Sequence, residues 1–99
     1  MNATLLGESI VAATKDQVSC DLGGEAAILH IRKGRYYGLD PVGARVWDLL
    51  QQPRSVREIQ GTLLKEFEVE PERCEADLLA LLQKLLDEEL IEVREPPGA

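Results

Sequence analysis

The residues of this chain that could do chemistry are few and scattered. His30 is the single histidine, and Cys20 and Cys74 are the two cysteines. A nucleophile needs an adjacent base, and that base needs an orienting group. His30 sits in a strand-like segment with no Ser or Cys at motif spacing, so it reads as an exposed or half-exposed strand residue. The cysteines form no CxxC and have no histidine spacing suited to zinc. They read as two small buried or half-buried thiols in a reducing compartment. Glu66, Glu68 and Glu70 alternate with Phe67 and Val69 and invite a metal reading, but isolated acids at a helix end read as a solvated face. The glycines show no phosphate-cradling pattern. No catalytic residue, cofactor or metal ligand is expected.

Charge narrows the partners. Eighteen acidic and 11 basic side chains give a formal net charge of −7. Nucleic-acid binders usually present a basic stripe. Here a neutral or basic partner is favoured over a phosphate backbone. No N-terminal run resembles a signal peptide, and no apolar stretch approaches the ~20 residues that span a bilayer. A cytoplasmic protein without nucleic-acid or membrane partners is expected. Ninety-nine residues fit one domain, 1–99, with residues 1–8 and 94–99 disordered.

The elements that must position a binding site follow from period. Residues 9–13 are β-capable. Residues 17–22 alternate with Val18, Cys20 and Leu22 on one face, and Gly23-Gly24 is a strong turn signal. Residues 25–32 form a second strand, with Ala27, Leu29 and Ile31 on one face and Ala26, Ile28, His30 and Arg32 on the other. Lys33-Gly34-Arg35 returns the chain as a third strand, 35–39, whose Tyr37 and Leu39 point into the core. The period then changes. Asp40 can cap a helix that Pro41 opens, and Val42, Val46, Leu49 and Leu50 follow at helical spacing. Ser55 with Glu58 is a capping-box pattern for a second helix. Gly61 inside that helix predicts a close helix–helix approach. Pro71 opens the longest helix, running to about Glu88, and Leu90 to Val93 leave it as an extended segment. The fold expected is α+β and winged-helix-like: a three-stranded antiparallel sheet followed by a three-helix bundle.

The third helix carries more apolar surface than one buried side needs. Cys74, Leu78, Leu79, Leu81, Leu82, Leu85 and Leu86 fall within an arc of roughly 160° at ~100° per residue, whereas a core stripe needs about 100°. Leu78, Leu81 and Leu85 are assigned to face the sheet or a ligand, with Asp77, Lys84 and Glu88 along the border. Residues 36–39 of the third strand show none of the charge, bulges or Pro that protect a sheet edge. An open edge beside an apolar helix makes a groove for an extended peptide, bound by strand addition.

The run Tyr36-Tyr37-Gly38-Leu39-Asp40-Pro41, continued by Ala44-Arg45-Val46-Trp47-Asp48-Leu49-Leu50, resembles the PqqD-like family, also called RiPP recognition elements. So does Asp77 to Leu86 closing on Leu90-Ile91. The resemblance covers about residues 16–93, departing where Asp40 replaces a common Asn, a change that leaves capping intact. It implies a domain that binds the leader of a ribosomally made precursor peptide and presents it to modifying enzymes. Its size looks most like the leader-binding protein of lasso-peptide biosynthesis, with a separate leader peptidase and macrocyclase as partners. A peptide carrier for a radical-SAM enzyme is the alternative within the family. The resemblance implies main-chain contacts at Tyr36, Tyr37, Gly38 and Leu39, and side-chain contacts from Ile28, His30, Asp77, Leu78, Leu81, Lys84 and Leu85.

Two other classes compete. A DNA-binding winged helix would need a recognition helix rich in Lys and Arg. Residues 72–89 instead hold six acids against Arg73 and Lys84. A general interaction module would show no selectivity for leader peptides.

Overall fold

The computed structural model describes Leu5 and residues 7–94. A first strand β1 (Ile10–Ala13) precedes the meander β2 (Gln17–Asp21), β3 (Ala26–His30) and β4 (Arg35–Leu39). Helices α1 (Pro41–Leu49), α2 (Val56–Glu66) and α3 (Pro71–Asp87) follow, with a two-residue β5 (Arg54–Ser55) before α2 and β6 (Ile91–Arg94) after α3. The expected meander is present as one antiparallel sheet in the order β2-β3-β4. Beside it lies a second sheet, β5-β1-β6, which the expected single sheet did not include.

That second sheet is the joint of the molecule. β1 pairs antiparallel with β6 over its full length and with β5 on its other side. Its neighbours are then tied to all three helices. Ala13 N–H donates to the Leu50 carbonyl at the end of α1, and Val56 N–H at the start of α2 donates to the Ser9 carbonyl. Thr14 donates its N–H to the Leu90 carbonyl, and its hydroxyl reaches Glu89 and Leu90 carbonyls after α3. Val11 and Ala12 are consequently buried. Of the terminal segments expected to be disordered, residues 1–4, 6 and 95–99 lie outside the described residues. Leu5 packs on the core, the Gly7 carbonyl accepts from Arg57 N–H, and Arg94 lies in β6.

Local chemistry sets the helix ends. Asp40 caps α1, its Oδ1 accepting from Gly43 N–H at 2.8 Å, with Pro41 in the first turn. A Cβ on Gly43 would stand 3.2 Å from that oxygen and 3.4 Å from Leu39, so this glycine keeps the strand-to-helix corner tight. Replacing Asp40 with Ala removes the cap and should cost about 1 kcal/mol. A thermal melt should then shift down by roughly 4–8 °C for a domain of this size; an unchanged midpoint would mean that the cap adds nothing.

The capping box at α2 forms in both directions: Glu58 N–H to Ser55 Oγ and Ser55 N–H to Glu58 Oε1. The approach expected at Gly61 is absent, since an added Cβ there would meet nothing within 4 Å. α3 ends in a Schellman arrangement: Leu90 N–H reaches the Leu85 carbonyl, Glu89 N–H reaches the Leu86 carbonyl, and Glu89 takes the left-handed φ of 62° that favours glycine. Leu85 and Leu90, the apolar pair of that motif, are both buried.

The core fills the space between the inner face of β2-β3-β4 and the three helices, with Ile28, Leu50, Ile59, Leu82 and Leu90 fully buried. Alternation in β3 grouped Ile28 and His30 on one face correctly, and that face is the inner one. His30 is therefore 0 % exposed, a correction to its expected exposure. Its Nδ1 accepts from Lys33 N–H in the hairpin, while Nε2 finds no partner among the described residues. Of the two thiols expected to be buried or half-buried, Cys74 is buried and Cys20 is exposed.

Candidate peptide-binding groove

The outer edge of β4 decides what this sheet can do. Two bonds fix the phase of the β2–β3 ladder: Leu22 N–H to the Glu25 carbonyl at one end, and Ile31 N–H to the Asp16 carbonyl at the other. Hydrogen-bonded and non-bonded pairs alternate along an antiparallel ladder. Val18↔Leu29 and Cys20↔Ala27 are therefore bonded pairs, and Ala26, Ile28 and His30 turn their N–H and C=O groups toward β4. There they meet Leu39, Tyr37 and Arg35. The backbone groups of Tyr36 and Gly38 consequently point the other way, and β4 pairs with no strand but β3 among the described residues.

Next to this edge lies a cleft of about 690 Å³. One wall is Tyr36 to Asp40; another is α3, from Arg73 to Leu85. The floor is apolar, with Val42 and Val46 from α1, Leu63 from α2 and Phe67 just past its end. Leu78 and Leu85 reach the cleft but are almost wholly buried, whereas Leu81 is half-exposed. Of the three leucines assigned to a ligand face, Leu81 alone therefore offers much free surface. The rim is balanced in charge: Arg73 stands 3.7 Å from Asp77, Lys84 lies on the same helix, and Asp40 lies at the head of α1. The excess acid of the chain is not concentrated here.

Most of the expected site residues come together. Tyr36, Tyr37, Gly38, Leu39, Asp77, Leu78, Leu81, Lys84 and Leu85 all line the cleft. Ile28 and His30 do not line it, and both side chains are 0 % exposed. Sequence reasoning missed the contribution of Val42, Val46, Leu63, Phe67 and Val69. A usable signal existed in Phe67 and Val69, apolar residues that alternate after the helical stripe of α2 ends, with Val69 40 % exposed.

The far end of the groove is held by charge. Tyr37 donates its hydroxyl to Glu88 Oε2, and Arg35 approaches the same oxygen at 3.4 Å. Lys33 and Arg32 pair with Glu89, and Arg32 also reaches Asp16. These contacts pin the β3–β4 hairpin to the end of α3. The Tyr37 hydrogen bond first, and the charges of Arg35 and Lys33 after it, hold the Glu88 carboxyl below its ordinary range, while the same bond pushes the Tyr37 phenol up. A carboxyl depressed in the folded state stabilises it above the unfolded value, near 4.5, and loses that contribution as pH falls through the folded value. The urea midpoint of the native chain should therefore exceed that of Glu88→Gln at pH 7, with the gap closing as acid is added below the usual carboxylate range. A gap unchanged into strong acid would remove the charge from this account.

Among the described residues, Cys74 is the one thiol that lines the cleft. Burial, with the Asp77 charge adding to it, pushes the Cys74 thiol up, away from the thiolate a nucleophile needs. Among the described residues no cluster of three or more His, Cys, Asp or Glu side chains could hold a metal ion. No helix among them is long and apolar enough to cross a membrane.

A three-stranded meander feeding three helices, with a free strand edge over an apolar cleft, defines a peptide-binding domain of winged-helix type. The family model described as coenzyme PQQ synthesis protein D (PqqD) matches residues 25–91, from the start of β3 to the start of β6, and the chain belongs to that family. Among solved structures, TbiB1 in complex with the TbiA(beta) leader peptide is 33% identical, with a TM-score of 0.77 over 86% of this chain and 99% of that one. A lasso peptide synthetase B1 complexed with the leader peptide superposes with a TM-score of 0.72 at 22% identity, over 83% of this chain and 96% of that one, a likeness of fold. No curated protein matches the chain in sequence.

Proposed function

We propose that this chain binds the leader region of a ribosomally synthesised precursor peptide at the β4 edge and presents it to a leader peptidase and a macrocyclase in lasso-peptide biosynthesis. The observation that carries the reading is the pair of outward-facing backbones, Tyr36 and Gly38, above an apolar cleft on α3. A leader strand laid along β4 pairs its own N–H and C=O groups with those two residues. Its alternate side chains enter the cleft against Leu81 and the deeper apolar floor, while Asp77 and Lys84 meet polar leader residues at the rim. TbiB1, the 33% identical relative, was solved with a leader peptide bound, which supports the same role here.

The chain acts by holding, not by reacting, and it works in the cytoplasm as a single domain. Main-chain hydrogen bonds contribute a net ~1 kcal/mol each, and two or three buried leader side chains contribute about 1.5–3 kcal/mol apiece. Ordering the peptide costs several kcal/mol back. The balance corresponds to a Kd between roughly micromolar and tens of nanomolar. Calorimetric titration with the leader half of the precursor encoded beside this gene tests the reading: saturable binding in that range is expected, and no heat or shift at high micromolar peptide overturns it. A carrier role beside a radical-SAM enzyme is favoured by the PqqD description of the matched family and uses the same groove. A neighbouring transglutaminase-like peptidase and an asparagine-synthetase-like cyclase select the lasso pathway over it.

A further inference from the structure

The meander has a second free edge. The phase that turns Tyr36 and Gly38 outward at β4 also turns the backbones of Gln17, Ser19 and Asp21 outward at β2, and β2 pairs only with β3 among the described residues. Gln17-Val18-Ser19-Cys20-Asp21 carries no Pro or Lys and no bulge interrupts its register, so the usual devices that blunt an edge are weak here. Its outer face is apolar, with Val18 53 % and Leu22 60 % exposed.

Under this edge lies a separate cleft of about 520 Å³, lined among others by Ser19, Asp21, Ala44, Trp47 and Phe67. Trp47 is 4 % exposed, and its indole N–H has no acceptor among the described residues. The charge of the cleft is one-sided. Its single lining base, Arg45, is held by two bonds to Glu66 and one to Asp48. Asp21 and Glu25 line the same cleft and form no ion pair among the described residues, Asp21 Oδ1 accepting only the Gly23 N–H of the turn.

We propose that the β2 edge is a second docking strand, which takes an extended segment bearing lysine or arginine from the protein that receives the peptide held at β4. An open backbone selects an extended segment, and the carboxylates of Asp21 and Glu25 select a cationic one. The two free edges are separated by two strand spacings, about 10 Å. Both can thus be filled at once in a five-stranded sheet. The role of the occupant as receiver rests on the proposed leader binding; the edge itself does not.

The test uses the full chain, isotope-labelled, and a blocked decapeptide alternating lysine with valine and threonine. The peptide should shift the amides of Gln17, Ser19 and Asp21 and the Trp47 indole N–H. Ser19→Pro, which removes only an outward donor, and Glu25→Lys, a surface charge reversal that leaves the backbone alone, should each weaken it at least tenfold. Gly38→Pro should leave it unchanged, and the same peptide with glutamate for lysine should bind at least tenfold more weakly. The leader peptide, titrated into the same samples, should show the opposite dependence, losing affinity in Gly38→Pro and keeping it in Ser19→Pro. Loss of leader binding alone would sink the proposed function and spare the second edge. Shifts confined to β4 and α3, or equal binding of the acidic peptide, would overturn the second edge. So would a doubling of mass in sedimentation that Ser19→Pro abolishes, since that would assign the edge to another copy of this chain.

Discussion

Leu81→Asp should weaken leader binding about 100-fold while leaving the domain folded. Leu81 is the partly buried leucine of the α3 wall: it packs against the edge of the core but, unlike Leu78 and Leu85, keeps apolar surface open to the cleft. Losing its burial against a leader side chain forfeits about 1.5–3 kcal/mol. A carboxylate placed in the closed cleft adds an uncompensated desolvation penalty. Together these approach ~2.7 kcal/mol, or two decades in Kd. Leu85→Asp is a poor substitute, because Leu85 is 2 % exposed and belongs to the core. Its aspartate would unfold the protein and report nothing about the groove. Titration calorimetry on Leu81→Asp, paired with a thermal melt, separates the two effects. Native affinity with a native melt would place the leader elsewhere.

Gly38→Pro should cost about 10- to 100-fold in leader affinity. Gly38 turns its N–H away from β3, so proline there deletes a donor that the fold does not use. The residue before it, Tyr37, is already extended, the conformation that proline demands of its predecessor. Binding, in contrast, loses one main-chain bond of ~1 kcal/mol and leaves the matching leader carbonyl unpaired at a further ~1–3 kcal/mol. Tyr37→Pro provides the control. Its N–H belongs to the β3–β4 ladder, so that substitution should lower stability first and affinity only as a consequence. If the two prolines behave alike, the assignment of inward and outward backbones along β4 is wrong.

The parts of this structure that the sequence announced are those fixed by local chemistry. Asp40-Pro41 marks the corner from β4 into α1 because a carboxylate cap and a proline first turn are both local devices. Ser55 with Glu58 marks α2 for the same reason. Gly23 and Gly24, at φ 77° and 101°, mark the β2–β3 turn because other residues are strained there. The β5-β1-β6 sheet was not legible. β1 and β6 lie near opposite ends of the sequence, β5 lies between them and is two residues long, and their pairing depends on where the helices bring them.

The groove shows the same division. A wide apolar arc on α3 and an undefended β4 were visible as patterns, and they do form two walls of one cleft. Depth was not visible. Periodicity places Leu78, Leu81 and Leu85 on one side but cannot tell that two of them are spent on the core. Nor can alternation tell which face of β3 is the inner one, and so His30, a polar residue among apolar neighbours, was expected outside. The floor given by Val42, Val46, Leu63 and Phe67 comes from α1 and the end of α2, whose apolar stripes read as core and carried no sign of which positions border the cleft. The net charge of −7 suggested leaders rich in basic residues, yet the rim of the cleft is balanced, so salt should affect binding less than the overall charge suggests.

Amide hydrogen exchange, read residue by residue along β4 with and without saturating leader peptide, addresses the central claim most directly. In the free protein Tyr37 and Leu39, bonded to β3, should exchange slowly, while Tyr36 and Gly38 exchange fast. Bound leader should slow Tyr36 and Gly38 by at least tenfold, together with amides facing the cleft on α3. If the leader saturates the protein and Tyr36 and Gly38 still exchange at their free rates, no strand has been added at β4, and the peptide is held in some other way.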